Sequence, residues 1–188
     1  MWSPFFDRTF NSQFPVANSG VFVIDPDDSA DYEPLCAALK HIYGITLTEH
    51  PDNYHLGTLK PKDRFGFYIK IYTLADKYDL PTVRRAVIDN LRTHSQFEEF
   101  DSAEGLPGVA QHVAHICGPD APQLADAALR NFLFEWVVKS FEYMGETKDI
   151  DARLKDGSLL DAELTTRLLF RLGERVRESM RITKKRRA

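Results

Sequence analysis

Between Lys62 and Tyr78 two apolar stripes run side by side at helical spacing. Phe65, Tyr68, Ile69, Tyr72 and Ala75 form one; Phe67, Ile71, Leu74 and Tyr78 form the other. A helix on the surface of a core needs one apolar face, whereas a helix apolar around most of its girth must be covered on most sides. This segment is therefore expected as the central helix of its domain, and other helices must flank it. Pro81 opens one, since its missing N–H is harmless at the first helical position, with Val83, Ala86, Val87 and Leu91 inward. Upstream, a helix is expected from Asp31 to Tyr43, with Leu35, Leu39, Ile42 and Tyr43 on one face and Gly44 at its end.

The remaining segments follow from local signals. Gly20-Val21-Phe22-Val23-Ile24, closed by Asp25-Pro26-Asp27-Asp28, reads as one buried strand ending in a turn. Residues 45–61 hold Pro51, Asn53, Gly57 and Pro61 and read as a loop. Residues 97–108 are acidic and end in Gly105-Leu106-Pro107-Gly108, which marks a linker. Beyond it, Val109, Val113, Ile116 and Cys117 predict a short helix stopped by Gly118-Pro119. A long helix from Pro122 to Met144 follows, with Leu129, Phe132, Leu133, Trp136 and Val137 inward. Asp156-Gly157 is a turn, and Ser158 with Asp161 resembles a capping box. It opens a last helix in which Leu164, Leu168, Leu172, Val176 and Met180 recur every four residues. The sum is mainly α with a small residual β element, an α+β chain. It divides into a domain at 1–96, an acidic linker at 97–108, a helical C-terminal extension at 109–182 and a basic tail at 183–188.

Composition narrows the function classes. Apolar residues make up 43% of the 188 and aromatics 12%, enough for a core and too much for wholesale disorder. With 24 Lys and Arg against 28 Asp and Glu, net −4, the chain is not a general polyanion binder. The two cysteines, Cys36 and Cys117, are too few for a disulfide scaffold. No stretch approaches the ~20 apolar residues of a membrane span. A soluble protein of the cytoplasm, the nucleus or both is expected, with no membrane partner.

Catalytic chemistry finds no constellation to use. There is no Gly-x-Ser-x-Gly elbow, no phosphate-cradling glycine loop, no His-Glu-x-x-His and no Cys-x-x-Cys. His112, His115 and Cys117 have metal-like spacing, but a tetrahedral site needs a fourth ligand, with Cys36 the one candidate. Cys117 sits on the apolar stripe of its own helix, where a free cysteine behaves as a small hydrophobe. The acidic run from Asp25 fails as a calcium loop: its sixth position is Ala30 and its twelfth Cys36. No enzyme activity, cofactor or metal is expected.

Lys184, Lys185, Arg186 and Arg187 form a cation cluster that a nuclear import receptor can read, or that touches nucleic acid non-specifically. Without interleaved aromatics or a basic face elsewhere, sequence-specific DNA reading is not expected. A nuclear, nucleic-acid-associated protein acting through this tail is the alternative to the reading that follows.

Three stretches together resemble one family. Tyr72-Thr73-Leu74-Ala75-Asp76-Lys77-Tyr78-Asp79-Leu80-Pro81-Thr82-Val83 is similar to the helix pair that closes BTB/POZ domains, especially fungal ones. Asp27-Asp28 followed by Tyr32, Leu35, Leu39 and Ile42-Tyr43-Gly44 resembles that family's segment leading into its helix end. Ser3-Pro4-Phe5-Phe6 with Phe10 looks like its helix before the third strand. The resemblance covers about residues 3–94, and the region from Leu106 to Met144 resembles the extension of many fungal members. Complete members begin with a β-hairpin and a helix ahead of the Ser-Pro-Phe-Phe position. The resemblance thus implies an N-terminally incomplete BTB/POZ-like fold at 1–96 and a non-enzymatic protein-interaction module, an adaptor or scaffold. Its partners would be proteins, self-association included, and Phe5, Phe6, Phe10 and Phe14 are the candidate interface. Docking to a cullin scaffold is not implied, because Phe14-Pro15-Val16 lacks the acid of the family's docking motif.

Overall fold

The structure, a computed structural model, describes Phe5, Asp7, Arg8, Asn11 and residues 32–47, 61–94, 106–144 and 148–187. Among the described residues are α1 (Tyr32–Ile42), α2 (Pro61–Lys77), α3 (Pro81–His94), α4 (Leu106–Cys117), α5 (Ala128–Met144), α6 (Lys148–Lys155) and α7 (Ala162–Arg187). They include no strand. The strand expected at Gly20–Ile24, the loop from Thr48 to Lys60 and residues 97–105 lie outside them. The chain divides into two compact units, Met1–Phe100 and Asp101–Ala188.

In the first unit α2 packs on both α1 and α3, and those two also meet. Every position of both expected stripes is buried, with Ile71, Tyr72 and Ala75 wholly shielded from solvent. Each large apolar side chain so buried contributes roughly 1.5–3 kcal/mol. The Thr73 hydroxyl, on a less buried position, donates back to the Ile69 and Lys70 carbonyls at 3.2 and 3.0 Å. Helix α3 turns Val83, Val87 and Leu91 inward as expected, and Ile88 joins them. Helix α1 buries Leu35, Ala37 and Ala38 but not Tyr43, which is 81% exposed. The helix ends at Ile42 and the Ile45 N–H returns to the Lys40 carbonyl (3.1 Å), so Tyr43 leaves the helical register.

In the second unit α4 packs on α5 and α6, and α5 packs on α7. Leu106-Pro107-Gly108, expected as linker, is the first turn of α4, a place where proline costs the helix nothing. Val109, Val113, Ile116 and Cys117 are all buried. A Cβ on Gly118 would lie 2.3 Å from the Ala114 carbonyl oxygen and 2.9 Å from that of Ser158. Glycine there lets the end of α4 and the approach to α7 come together.

Helix α5 starts at Ala128 rather than Pro122, because the Asp126 carboxylate accepts the Ala128 N–H at 2.8 Å and sets the cap. Leu129, Leu133, Trp136 and Val137 are inward as expected, with Phe134, Val138 and Ser140 beside them. Helix α6 is not foreseen by periodicity, since among its described side chains Ile150 is the one fully buried. The expected capping box also moves. Leu159 and Leu160 are buried between the turn and α7, and Asp161 is the cap, accepting the Leu164 N–H at 2.8 Å. The Ser158 N–H is held by Asp156 instead (2.9 Å). Finally, the four-residue repeat of α7 is a core face only at Leu164 and Leu168, with Leu172 half-buried. Val176 and Met180 are exposed, because a 26-residue helix outruns the 17-residue α5 it packs on.

Candidate functional site

The site of interest is the junction between α2 and α3, where the Ala75-to-Pro81 run lies. Helix α2 closes with the Tyr78 N–H on the Leu74 carbonyl (2.9 Å), and the Leu80 N–H reaches back to Ala75 (2.7 Å). Between them Asp79 takes a left-handed conformation, φ 48°, which a short polar side chain tolerates better than most. Pro81 then starts α3, and the Arg84 N–H donates to the Leu80 carbonyl at 3.1 Å.

That turn folds the Arg84 side chain back over the end of α2. Its Nη1 lies 3.5 Å from the Ala75 carbonyl oxygen, 3.6 Å from Asp76 Oδ1 and 3.8 Å from Asp79 Oδ1. Arg84 is a buried residue and the Asp76 side chain is only 14% exposed, so the charges meet where water screens them little. Asp79 has a second cation, Arg8, at 3.4 Å. Beside it the Phe5 ring stands edge-on to Tyr78, centroids 5.5 Å apart at 69°, an attractive geometry for two aromatic rings. The Lys77 ammonium lies 5.9 Å from the same Tyr78 ring. Phe5 and Arg8 are thus tied to the α2–α3 turn, the first by an aromatic contact and the second by an ionic one.

Of the candidate interface, Phe5 is half-buried on Tyr78, whereas Phe6, Phe10 and Phe14 lie outside the described residues. Lys184, Lys185, Arg186 and Arg187 continue the backbone of α7, which reaches Arg187, instead of forming a separate tail; their side chains lie outside the described residues. Arg84 is the residue that sequence reasoning passed over. Its signal was two acids closing one helix and an arginine in the first turn of the next.

The metal-like trio does not assemble. His112 and His115 sit on α4 with half-buried and exposed side chains, and Cys117 is buried. Among the described residues no three His, Cys, Asp or Glu side chains are grouped to hold a metal ion. Cys117 belongs to a structural knot: its thiol donates to the Arg130 carbonyl (3.7 Å), its own carbonyl accepts the Asp161 N–H (2.7 Å), and Arg130 pairs with Asp161. Burial pushes the thiol up to about 12, against a smaller opposing pull from Arg130, so it stays protonated and unreactive. No described helix is long and apolar enough to cross a membrane. Comparison of the chain with family models, with curated proteins and with solved structures found no match.

Proposed function

We propose that this chain is a non-enzymatic protein-interaction module of the BTB/POZ type, an adaptor or scaffold with a helical C-terminal extension. One observation carries the reading: Phe5 meets Tyr78. Phe5, from the Ser-Pro-Phe-Phe part of the resemblance, touches Tyr78, from the Tyr72-to-Val83 part, although the two are about seventy residues apart. The aromatics from Phe65 to Tyr78, namely Phe65, Phe67, Tyr68, Tyr72 and Tyr78, go into helix packing around α2, which also supports a scaffold over a reaction centre. Phe5, Phe6, Phe10 and Phe14 are the proposed interface, and a second copy of the chain is the first partner to test.

Light scattering over a wide concentration range, with binding of a hydrophobic dye, tests it. The expected result is a mass that rises toward the dimer, or dye binding by the monomer, with either one lost in Phe6→Asp. A monomer at every concentration that binds no dye overturns the reading. So does dye binding that Phe6→Asp leaves unchanged.

A further inference from the structure

Among the described residues, the buried side chains of helix α7 lie in its N-terminal half. Leu164 and Leu168 are buried, the Arg167 guanidinium lies 4.5 Å from the Phe134 ring centroid, and Arg171 pairs with Glu135 of α5 at 3.6 Å. Beyond Gly173 every side chain as far as Ile182 is exposed, while the helix runs on to Arg187. Leu169, Val176 and Met180, at i, i+7 and i+11, share one face and are 65%, 53% and 61% exposed. Leu172 and Gly173 lie alongside them on that face. Residues 169–188 carry eight Lys and Arg against two Glu, a net +6 in a chain whose total is −4. Helices in proteins draw most of their stability from packing an apolar face. This face has the pattern without the packing.

Gly173 is the second observation. Glycine in a helix interior lowers helical stability relative to alanine. Among the described residues a Cβ built on Gly173 would meet only the Arg177 guanidinium, at 3.9 Å, so none of them requires the missing side chain. A bare backbone on an apolar stripe admits the close approach of another backbone.

We propose that the C-terminal half of α7 docks an acidic amphipathic helix of a partner protein. Leu169, Val176 and Met180 form the apolar seam, Gly173 marks the closest approach, and the exposed Arg175, Arg177 and Arg181 flank the seam to meet the partner's carboxylates. Charge sets the choice of partner: a second copy of this chain would bring +6 against +6. A lipid surface has no backbone for Gly173 to admit. A nucleic-acid duplex would use the cations and leave the stripe idle.

The probe is a fluorescent synthetic peptide of about four heptads with Ile at a, Leu at d and Glu at e and g, titrated with the full chain. Saturable binding is expected, weakened at least tenfold by Leu169→Asp and by Gly173→Leu, and absent for the matching peptide with Lys at e and g. Gly173→Ala is expected to raise the helicity of the free chain, which shows that glycine serves the complex and not the fold. Failure of the acidic peptide to bind overturns the proposal. So does binding that Leu169→Asp leaves unchanged, or that Gly173→Leu tightens. Displacement of the peptide by phosphatidylserine vesicles or a DNA duplex with no loss on Leu169→Asp reassigns the surface and equally overturns it. Self-association lost on Leu169→Asp does the same. That readout is separate from Phe6→Asp, so failure here and failure of the N-terminal interface are distinguishable.

Discussion

A buried arginine is costly unless its charge is answered, and Arg84, its side chain 11% exposed, is answered by Asp76 and Asp79 together. Removing one partner of such a pair leaves the other charge desolvated and alone, which costs more than the pair itself contributes. Arg84→Ala is therefore expected to lower stability by about 3 kcal/mol, measured by urea denaturation. The double variant Arg84→Met, Asp76→Leu removes both charges and keeps the volume, so it should recover more than half of that loss. Equal instability in single and double variants would place the cost in packing and not in charge. Arg8 makes the contrast. Its pair with Asp79 is 75% and 41% exposed, so Arg8→Ala should cost less than about 0.5 kcal/mol.

At the scale of the element, the start of α7 rests on one residue, Asp161, whose carboxylate has two tasks and whose backbone has a third. Asp161 caps the Leu164 N–H (2.8 Å), pairs with Arg130 of α5, and offers its own N–H to Cys117 at the end of α4 (2.7 Å). Asp161→Ala loses the first two and is expected to cost about 1–2 kcal/mol. Asp161→Asn keeps the capping oxygen and loses only the charge, so its thermal midpoint should fall between wild type and Ala. The same element shows what was legible in the sequence and what was not. The interior of α2 was legible because burial on all sides writes itself into local periodicity, and each stripe position from Phe65 to Tyr78 is buried. The starts of α5 and α7 were not. Pro122 against Asp126, and Ser158 against Asp161, are choices among polar residues settled by which leucines are drawn inward nearby. Val176 and Met180 carry a core-like repeat, yet periodicity defines a face without saying whether another element reaches it. For the site, Phe5 was marked as an interface residue, but its contact with Tyr78 joins positions too distant for any local pattern. Arg84 escaped because its burial depends on the turn at Asp79.

At the scale of the whole molecule, each unit holds a buried weak acid whose proton is retained longer in the native state, Tyr68 in one and Cys117 in the other, and both contribute to its behaviour in alkali. In Met1–Phe100 burial raises the Tyr68 hydroxyl from its ordinary value near 10 up to about 12, with Arg64 pulling the other way. In Asp101–Ala188 burial raises the Cys117 thiol from near 9 up to about 12, Arg130 opposing and Asp161 reinforcing. As pH rises, the unfolded chain releases these protons first, so the unfolded state gains while the native state still holds them. Below about pH 9 both groups are protonated in either state and contribute no slope. Above it Cys117, and above about pH 10 Tyr68, each withdraw stability at up to about 1.4 kcal/mol per pH unit until the native groups titrate. The urea midpoint should therefore fall steadily from about pH 9 upward. Cys117→Ala should flatten the first part of that fall. Tyr68→Phe should flatten the later part while changing neutral stability little, because the hydroxyl reaches Asn90 at a long 3.4 Å. Iodoacetamide offers an independent check: native Cys117 should resist alkylation at mildly alkaline pH and react once urea unfolds its unit, whereas half-buried Cys36 should react sooner. An alkaline fall as steep in a variant carrying both Cys117→Ala and Tyr68→Phe as in wild type would assign it to other groups and remove the protonation of these two as its cause.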